Sequence, residues 1–185
     1  MSRHSITSGI SRRRFLACSA ATLAVATLPV GLARATADEH RRLAFHNLHT
    51  GERLNVTYWE HGQYLPDALK EVDHVLRDHR ANEAHPIDPE LLDTLDTLQK
   101  RMGFDRPFEV ISGYRSPGTN RRLRAQGHNV AEYSLHMEGE AIDIRVPGQA
   151  LSDLRDAAVS LKAGGVGYYP RSRFVHVDIG NVRSW

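Results

Sequence analysis

Ser134-Leu135-His136-Met137-Glu138-Gly139-Glu140-Ala141-Ile142-Asp143 sets a histidine and an aspartate on either side of a short polar turn. Further on, Phe174-Val175-His176-Val177-Asp178 sets a second histidine two residues before another aspartate. The stretch Ala141 to Val146 alternates as a strand, with Ile142 and Ile144 turned to a core and Asp143 to the opposite face. Phe174 to Ile179 alternates in the same way, with Val175, Val177 and Ile179 on one face and His176 and Asp178 on the other. If the two strands are neighbours, His136, Asp143 and His176 converge. Two imidazoles and a carboxylate form a borderline-soft N/N/O set that suits Zn²⁺ and leaves a fourth position for water, the open arrangement of a hydrolytic site. With 11 histidines in the chain, spacing alone leaves structural or surface histidines as the competing reading.

Those strands need a scaffold, and the remaining sequence supplies it. Leu43 to Asn47 and Leu54 to Trp59 flank His49-Thr50-Gly51-Glu52 and read as a hairpin. Leu65 to Arg80 carries Leu65, Ala68, Leu69, Val72, Val75 and Leu76 at helical spacing. Asp88-Pro89 opens a second helix as N-cap and first residue; Leu91, Leu92, Leu95, Leu98 and Met102 form its stripe, and Gly103 ends it. Phe108 to Ile111 reads as a strand, Pro117 to Arg124 as a short helix, and Leu151 to Leu161 as a helix stopped by Gly164-Gly165. Gln126 to Tyr133 shows no period. The expected class is α+β, with helices packed on one face of a small, mostly antiparallel sheet.

Composition bounds the rest. A chain of 185 residues that is 41% hydrophobic and 25% charged is neither collagenous, coiled-coil nor wholly disordered. Ser11-Arg12-Arg13-Arg14-Phe15-Leu16 matches the twin-arginine export pattern, and an uncharged, small-residue-rich run follows to Ala33. Residues 1–35 are therefore expected to be a Tat signal removed after Ala35 or after Ala37. Pro29 and Gly31 inside the run argue against a retained membrane anchor. Without residues 1–35, 19 Lys and Arg face 22 Asp and Glu, a net charge of −3 that gives no bulk attraction to nucleic acid. Cys18 leaves with the leader, so disulfide and thiol chemistry leave with it. One domain over residues 36–185 and a monomeric state are expected.

The Ser-x-His-x-x-Gly-x-Ala-x-Asp string, followed by a strand-borne histidine, resembles the zinc D-alanyl-D-alanine carboxypeptidases and their relatives with the lysostaphin and hedgehog N-domain fold. Other strings are closer still. Asn47-Leu48-His49-Thr50-Gly51-Glu52, Tyr58-Trp59, Ile111-Ser112-Gly113-Tyr114-Arg115-Ser116-Pro117 and Gly164-Gly165-Val166-Gly167-Tyr168-Tyr169-Pro170, with the His176 strand, are similar to the YcbK-type or MepK-type periplasmic murein endopeptidases. The resemblance runs from about Leu43 to Trp185. It implies a periplasmic zinc peptidase that acts on peptidoglycan stem peptides, with relatives that cut between two diaminopimelate residues. Matched by motif, the zinc ligands are His136, Asp143 and His176, and Arg115 is the arginine near the scissile carbonyl, where a guanidinium stabilises a developing oxyanion. A surface pairing or helix-capping role remains open for Arg115. Ser134 either binds the substrate backbone or caps its own loop.

One position departs from many relatives of this fold, which carry an acidic general base three residues before the last zinc histidine; here it is Arg173. An arginine does not accept a proton at neutral pH. Asp178 is the substitute candidate, either as the base or as a carboxylate that orients His176. Glu138 and Glu140 read as solvated loop charges, and His46, His49, His74, His79, His85 and His128 as surface or locally paired groups. Tyr168, Tyr169 and Trp59 line a substrate groove or fill core space. Two rival functions stay open: a carboxypeptidase that releases terminal D-alanine, and an inactive zinc-containing peptidoglycan-binding module, which the missing acid at position 173 keeps alive.

Overall fold

The computed structural model describes residues 40–128 and 130–185; the expected leader lies outside them. The described residues open with β1 (His40–Asn47) and β2 (Arg53–Glu60), an antiparallel pair with Phe45 opposite Leu54. A short β3 (Gln63–Tyr64) follows, then α1 (Pro66–Val75), α2 (Pro89–Met102), β4 (Phe108–Ser112) and α3 (Pro117–Ala125). The last third contains β5 (Ala141–Arg145), α4 (Leu151–Leu161), β6 (Gly165–Tyr169), β7 (Phe174–Asp178) and β8 (Arg183–Ser184). All eight strands form one sheet in the order β3-β2-β1-β4-β5-β7-β6-β8. Only the β1–β4 and β6–β8 pairs are parallel, so the α+β, mostly antiparallel expectation holds.

Helices α1, α2 and α4 lie against the sheet, α1 on β2, α2 on β1, and α4 on β6 and β7. Their apolar stripes meet Leu43, Phe45, Ile142, Ile144, Val175 and Val177 in one continuous core. That contact commits β5 and β7 to a single register, because a one-residue slip would turn every buried side chain of a strand outward. Helix α2 follows its sequence signals closely. The Asp88 side chain accepts the Glu90 N–H at the start, and Gly103 takes the left-handed conformation at the end.

Three features differ from the sequence reading. Helix α1 stops at Val75, not Arg80, because Asp78 turns inward. Its carboxylate accepts the Arg80 N–H at 2.9 Å and the Ser116 N–H and hydroxyl at 3.0 and 2.8 Å. Continuing the helix would break this buried link, which ties the end of α1 to the segment carrying Arg115. Secondly, the sheet has three strands that alternation did not mark. β3 and β8 are two-residue pieces, and β6 has glycine at two of its five positions, which erases the alternating pattern. Thirdly, Leu135–Met137 forms a single 3-10 turn that carries His136.

Candidate metal centre

Strands β5 and β7 are direct neighbours, and Asp143 pairs with His176 across them. Directly opposed residues of an antiparallel pair project to the same face, so the ladder delivers carboxylate and imidazole together on the side away from the helices. The 3-10 turn brings in His136. His176 Nδ1 lies 2.9 Å from Asp143 Oδ1 and 3.2 Å from His136 Nε2, which is itself 3.3 Å from Asp143 Oδ1. Among the described residues this is the group of three whose ligand atoms converge closely enough to share one metal ion.

Each imidazole is held from behind. His136 Nδ1 donates to the Gly113 carbonyl at 2.8 Å, which leaves Nε2 with its lone pair toward the cluster. On the other ring, His176 Nε2 donates to Asp178 Oδ2 at 2.9 Å and leaves Nδ1 facing inward. Fixing the outer nitrogen as a donor so that the inner one is free to ligate is how proteins prepare histidines for a metal. The Gly113 carbonyl can take its position because residue 113 has no side chain. A Cβ there would stand 2.4 Å from the Leu76 carbonyl oxygen, which accepts the next N–H, that of Tyr114, at 2.8 Å.

The electrostatics agree with a cation site. Burial pushes the Asp143 carboxyl up, but the two imidazoles outweigh it and hold the group well below the usual carboxylate range. Burial pulls His176 down, yet Asp143 and Asp178 more than compensate and raise it to about 9. The two carboxylates that favour a proton on His176 favour a divalent ion in its place, since a metal binds only the deprotonated ring nitrogen. The donor set, its convergence and its backing therefore fit a metal such as zinc.

Arg115 stands beside the group. Its N–H donates to the His136 carbonyl at 2.9 Å, its Nη1 reaches Asn120 Oδ1 at 3.3 Å, and its Nη2 lies 4.0 Å from Asp143 Oδ2. Burial pulls its pKa down, opposed by Asp143. Its Nε is buried without a hydrogen-bond partner among the described residues. Arg115 is thus a buried cation lining the cleft and not a surface arginine. Ser134 also lines the cleft and precedes the 3-10 turn, but its side chain makes no capping hydrogen bond.

Asp178 is fully buried and saturated with donors. Its Oδ1 accepts the Gly165 N–H at 3.0 Å, the Gly180 N–H at 2.9 Å and Arg183 Nη1 at 3.1 Å; its Oδ2 accepts His176 Nε2 and, at 2.7 Å, Arg183 Nη2. Despite burial, which raises it, these partners hold its carboxyl well below the usual range. Arg173 is remote from this chemistry: it lies in the β6–β7 turn with φ 58° and lines a different cleft with Arg145 and Tyr168. Glu138 and Glu140 do not line the metal-site cleft. His49 stacks on His79, His85 stacks on Tyr114 and His74 faces Glu52, all apart from the three-ligand group.

The cleft over the three ligands has a volume of about 230 Å³. Of the aromatic candidates, only Tyr169 borders it. Trp59 lies under the Arg41 guanidinium near the far edge of the sheet, and Tyr168 under that of Arg155. Sequence reasoning missed Tyr133, Phe174, Arg183 and Trp185, which also line it. The alternation of Phe174 with His176 was a usable sign for the first of the strand residues. Arg183 and Trp185 carry no periodic signal, since β8 is a two-residue strand placed by its pairing with β6 and by the hydrogen bonds of Arg183 to Asp178.

Comparison with known proteins agrees with this geometry. A family model described as peptidoglycan L,D-endopeptidase MepK matches residues 35–185. The chain is 44% identical over 176 residues to the peptidoglycan L,D-endopeptidase MepK of Escherichia coli K12, covering 95% of this chain and 97% of that protein. It is 40% identical over 177 residues to a probable peptidoglycan L,D-endopeptidase MepK of Haemophilus influenzae, covering 95% of each. No solved structure gives a significant match. With its fold, its three-ligand cluster and a family match over most of its length, the chain belongs to the MepK family of peptidases.

Proposed function

We propose that this protein is a zinc-dependent murein endopeptidase that hydrolyses peptide cross-links of peptidoglycan, with links between two diaminopimelate residues as its preferred substrate. The observation that carries the reading is the convergence of His136, Asp143 and His176, each imidazole fixed by an acceptor behind it. The twin-arginine string at Arg12-Arg13 supports export to the periplasm, where this substrate lies. Among the described residues no helix is long and apolar enough to cross a membrane. The enzyme works as a monomer on stem peptides.

His136, Asp143 and His176 hold the ion, and two nitrogens with one carboxylate oxygen match zinc's preference for a site with an open position. When bound, the metal supplies Lewis-acid activation of water and of the scissile carbonyl. The Gly113 carbonyl keeps His136 in the ligating tautomer, and Asp178 does the same for His176. Arg115 is oriented by Asn120 and lies where a guanidinium can stabilise the charge that develops on the carbonyl oxygen. Ser134, with its hydroxyl uncommitted to a cap, hydrogen-bonds the substrate backbone. Asp178 acts through His176, because five donors already occupy its two oxygens.

The test is digestion of purified muropeptides joined by diaminopimelate–diaminopimelate or by D-alanine–diaminopimelate links. Mature protein is assayed as purified, after chelation, and after zinc is restored. The proposal expects cleavage of the first kind, lost on chelation and recovered with zinc. Release of free D-alanine would assign a carboxypeptidase instead. Binding without cleavage by the zinc-loaded protein would assign a binding module.

A further inference from the structure

Strand β6 is stripped of side chains where it runs beside the metal ligands. Gly167 pairs with His176 and Tyr169 with Phe174, so residues 165, 167 and 169 share the face that carries Phe174, His176 and Asp178. Two of those three positions are glycine, which weakens a strand interior and marks a place where another group comes close. The groups are identifiable. A Cβ on Gly165 would stand 2.5 Å from Asp178 Oδ2 and 2.6 Å from Arg183 Nη1. A Cβ on Gly167 would stand 2.8 Å from Trp185 Cε2 and 2.9 Å from Cζ2. Tyr169 Cε2 would also lie 2.8 Å from that second Cβ, so the Gly165-Val166-Gly167 string clears space for Asp178 with Arg183 at one glycine and for Trp185 with Tyr169 at the other.

The segment of β8 and Trp185 is fastened along its backbone, with the Tyr168 N–H on the Trp185 carbonyl at 2.9 Å and the Trp185 N–H on the Val166 carbonyl at 3.2 Å. The indole is fixed as well. Its Nε1 donates to the Tyr169 hydroxyl at 2.8 Å, the Arg183 guanidinium lies 5.1 Å from its ring, and its centroid is 5.4 Å from that of His176. With the polar edge committed, what the ring offers the cleft is apolar surface, and the residue is still 52% exposed. A tryptophan that served packing alone would be covered. One that was incidental to the surface would not need a glycine beneath it.

We infer that Trp185 is a substrate-contacting residue that sets specificity, its seated indole forming with Tyr169 a wall beside His176 that receives the methylene run of the cross-linking diamino acid. The inference rests on the endopeptidase reading for the identity of that substrate. Once its side-chain amine is acylated in a cross-link, such a residue loses that positive charge and presents a run of CH₂ groups next to the carboxylate-bearing carbon of the scissile amide. A rigid aromatic face suits that shape, because it buries apolar surface and has little conformational entropy to lose.

The test is steady-state kinetics of W185A and W185F on a diaminopimelate-linked muropeptide, with zinc content and thermal midpoint measured alongside. W185A is expected to raise KM about tenfold while kcat changes by less than about threefold, which is the pattern of lost ground-state and transition-state contact alike. W185F should recover most of the loss. An unchanged KM in W185A overturns the inference, as does a loss of zinc or of fold in both variants, which would make the ring structural. A second measurement needs no turnover: the indole N–H resonance of Trp185, told apart from that of Trp59 by W185F, is followed as stem peptide acetylated on its diaminopimelate side-chain amine is added to wild-type protein. It should shift while that of Trp59 does not, and an unmoved Trp185 signal at saturating peptide also overturns the inference. A protein that binds stem peptide at Trp185 but cuts nothing would refute the endopeptidase reading alone. One that cuts with unaltered KM in W185A would refute the aromatic wall alone.

Discussion

Replacing Asp178 with Asn separates two chemical roles with a change of one atom. Three donors converge on Oδ1, from Gly165, Gly180 and Arg183, and two on Oδ2, from His176 and Arg183. The amide oxygen of Asn will be retained where three donors meet, so its NH₂ falls opposite His176 Nε2 and Arg183 Nη2. Two N–H groups cannot point at each other. The imidazole escapes by moving its proton from Nε2 to Nδ1, the nitrogen that faces Asp143 and His136. A protonated Nδ1 has no lone pair for a metal. Loss of such an outer partner costs about 10- to 100-fold in metal affinity or activity, and the forced tautomer puts D178N at the upper end of that range. The assay is zinc competition against a chromophoric chelator, with nitrogen-15 NMR of the imidazoles to read the tautomer directly. The reasoning is refuted if D178N binds zinc as tightly as wild type with His176 in its original tautomer. If that variant also lost about 10²–10⁴-fold in rate, Asp178 would be the general base.

Arg115→Ala should lower kcat on the order of 10²-fold on a cross-linked muropeptide while zinc content stays at the wild-type level, and full activity would remove it from the mechanism. Leu95→Ala, at a position with no exposed surface in α2, should cost about 2–5 kcal/mol by denaturant titration; a change under about 1 kcal/mol would mean that α2 is not clamped between β1 and α4. At the β1–β2 turn, hydrogen bonds from Arg77 and then Thr50 lower Glu52 to about 2. Its contribution to stability is therefore present above the ordinary glutamate pKa and disappears as pH falls from there through about 2. Arg77→Ala should flatten that part of the pH–stability curve, and an unaltered acid limb would contradict the pairing.

How much of this was legible depended on whether the governing contact was local. Helix α2 is written entirely in its own residues, from the Asp88 cap through the leucine stripe to Gly103. The placement of Asp143 and His176 on one face followed from alternation in two separate strands, and needed only that those strands be neighbours. The end of α1 was different. The apolar spacing ends at Leu76 and no local breaker stands before Arg80; the decisive contact is between Asp78 and Ser116, which no local window contains. β6 was hidden by the glycines that make room for Arg183 and Trp185, so the feature that erased its pattern is the one that shapes the cleft. The two roles open for Asp178 differ only in what surrounds its oxygens, and four of its five donors lie outside β7, in Gly165, Gly180 and the two nitrogens of Arg183.

The central claim is that His136, Asp143 and His176 hold one zinc ion. Its most direct test is elemental analysis of purified mature protein and of His176→Ala after chelation, reloading with zinc and removal of excess metal, with circular dichroism to verify the fold of both. The structure predicts one zinc per chain in wild type and almost none in the folded variant. Full zinc occupancy in folded His176→Ala, or none in reloaded wild type, would contradict it.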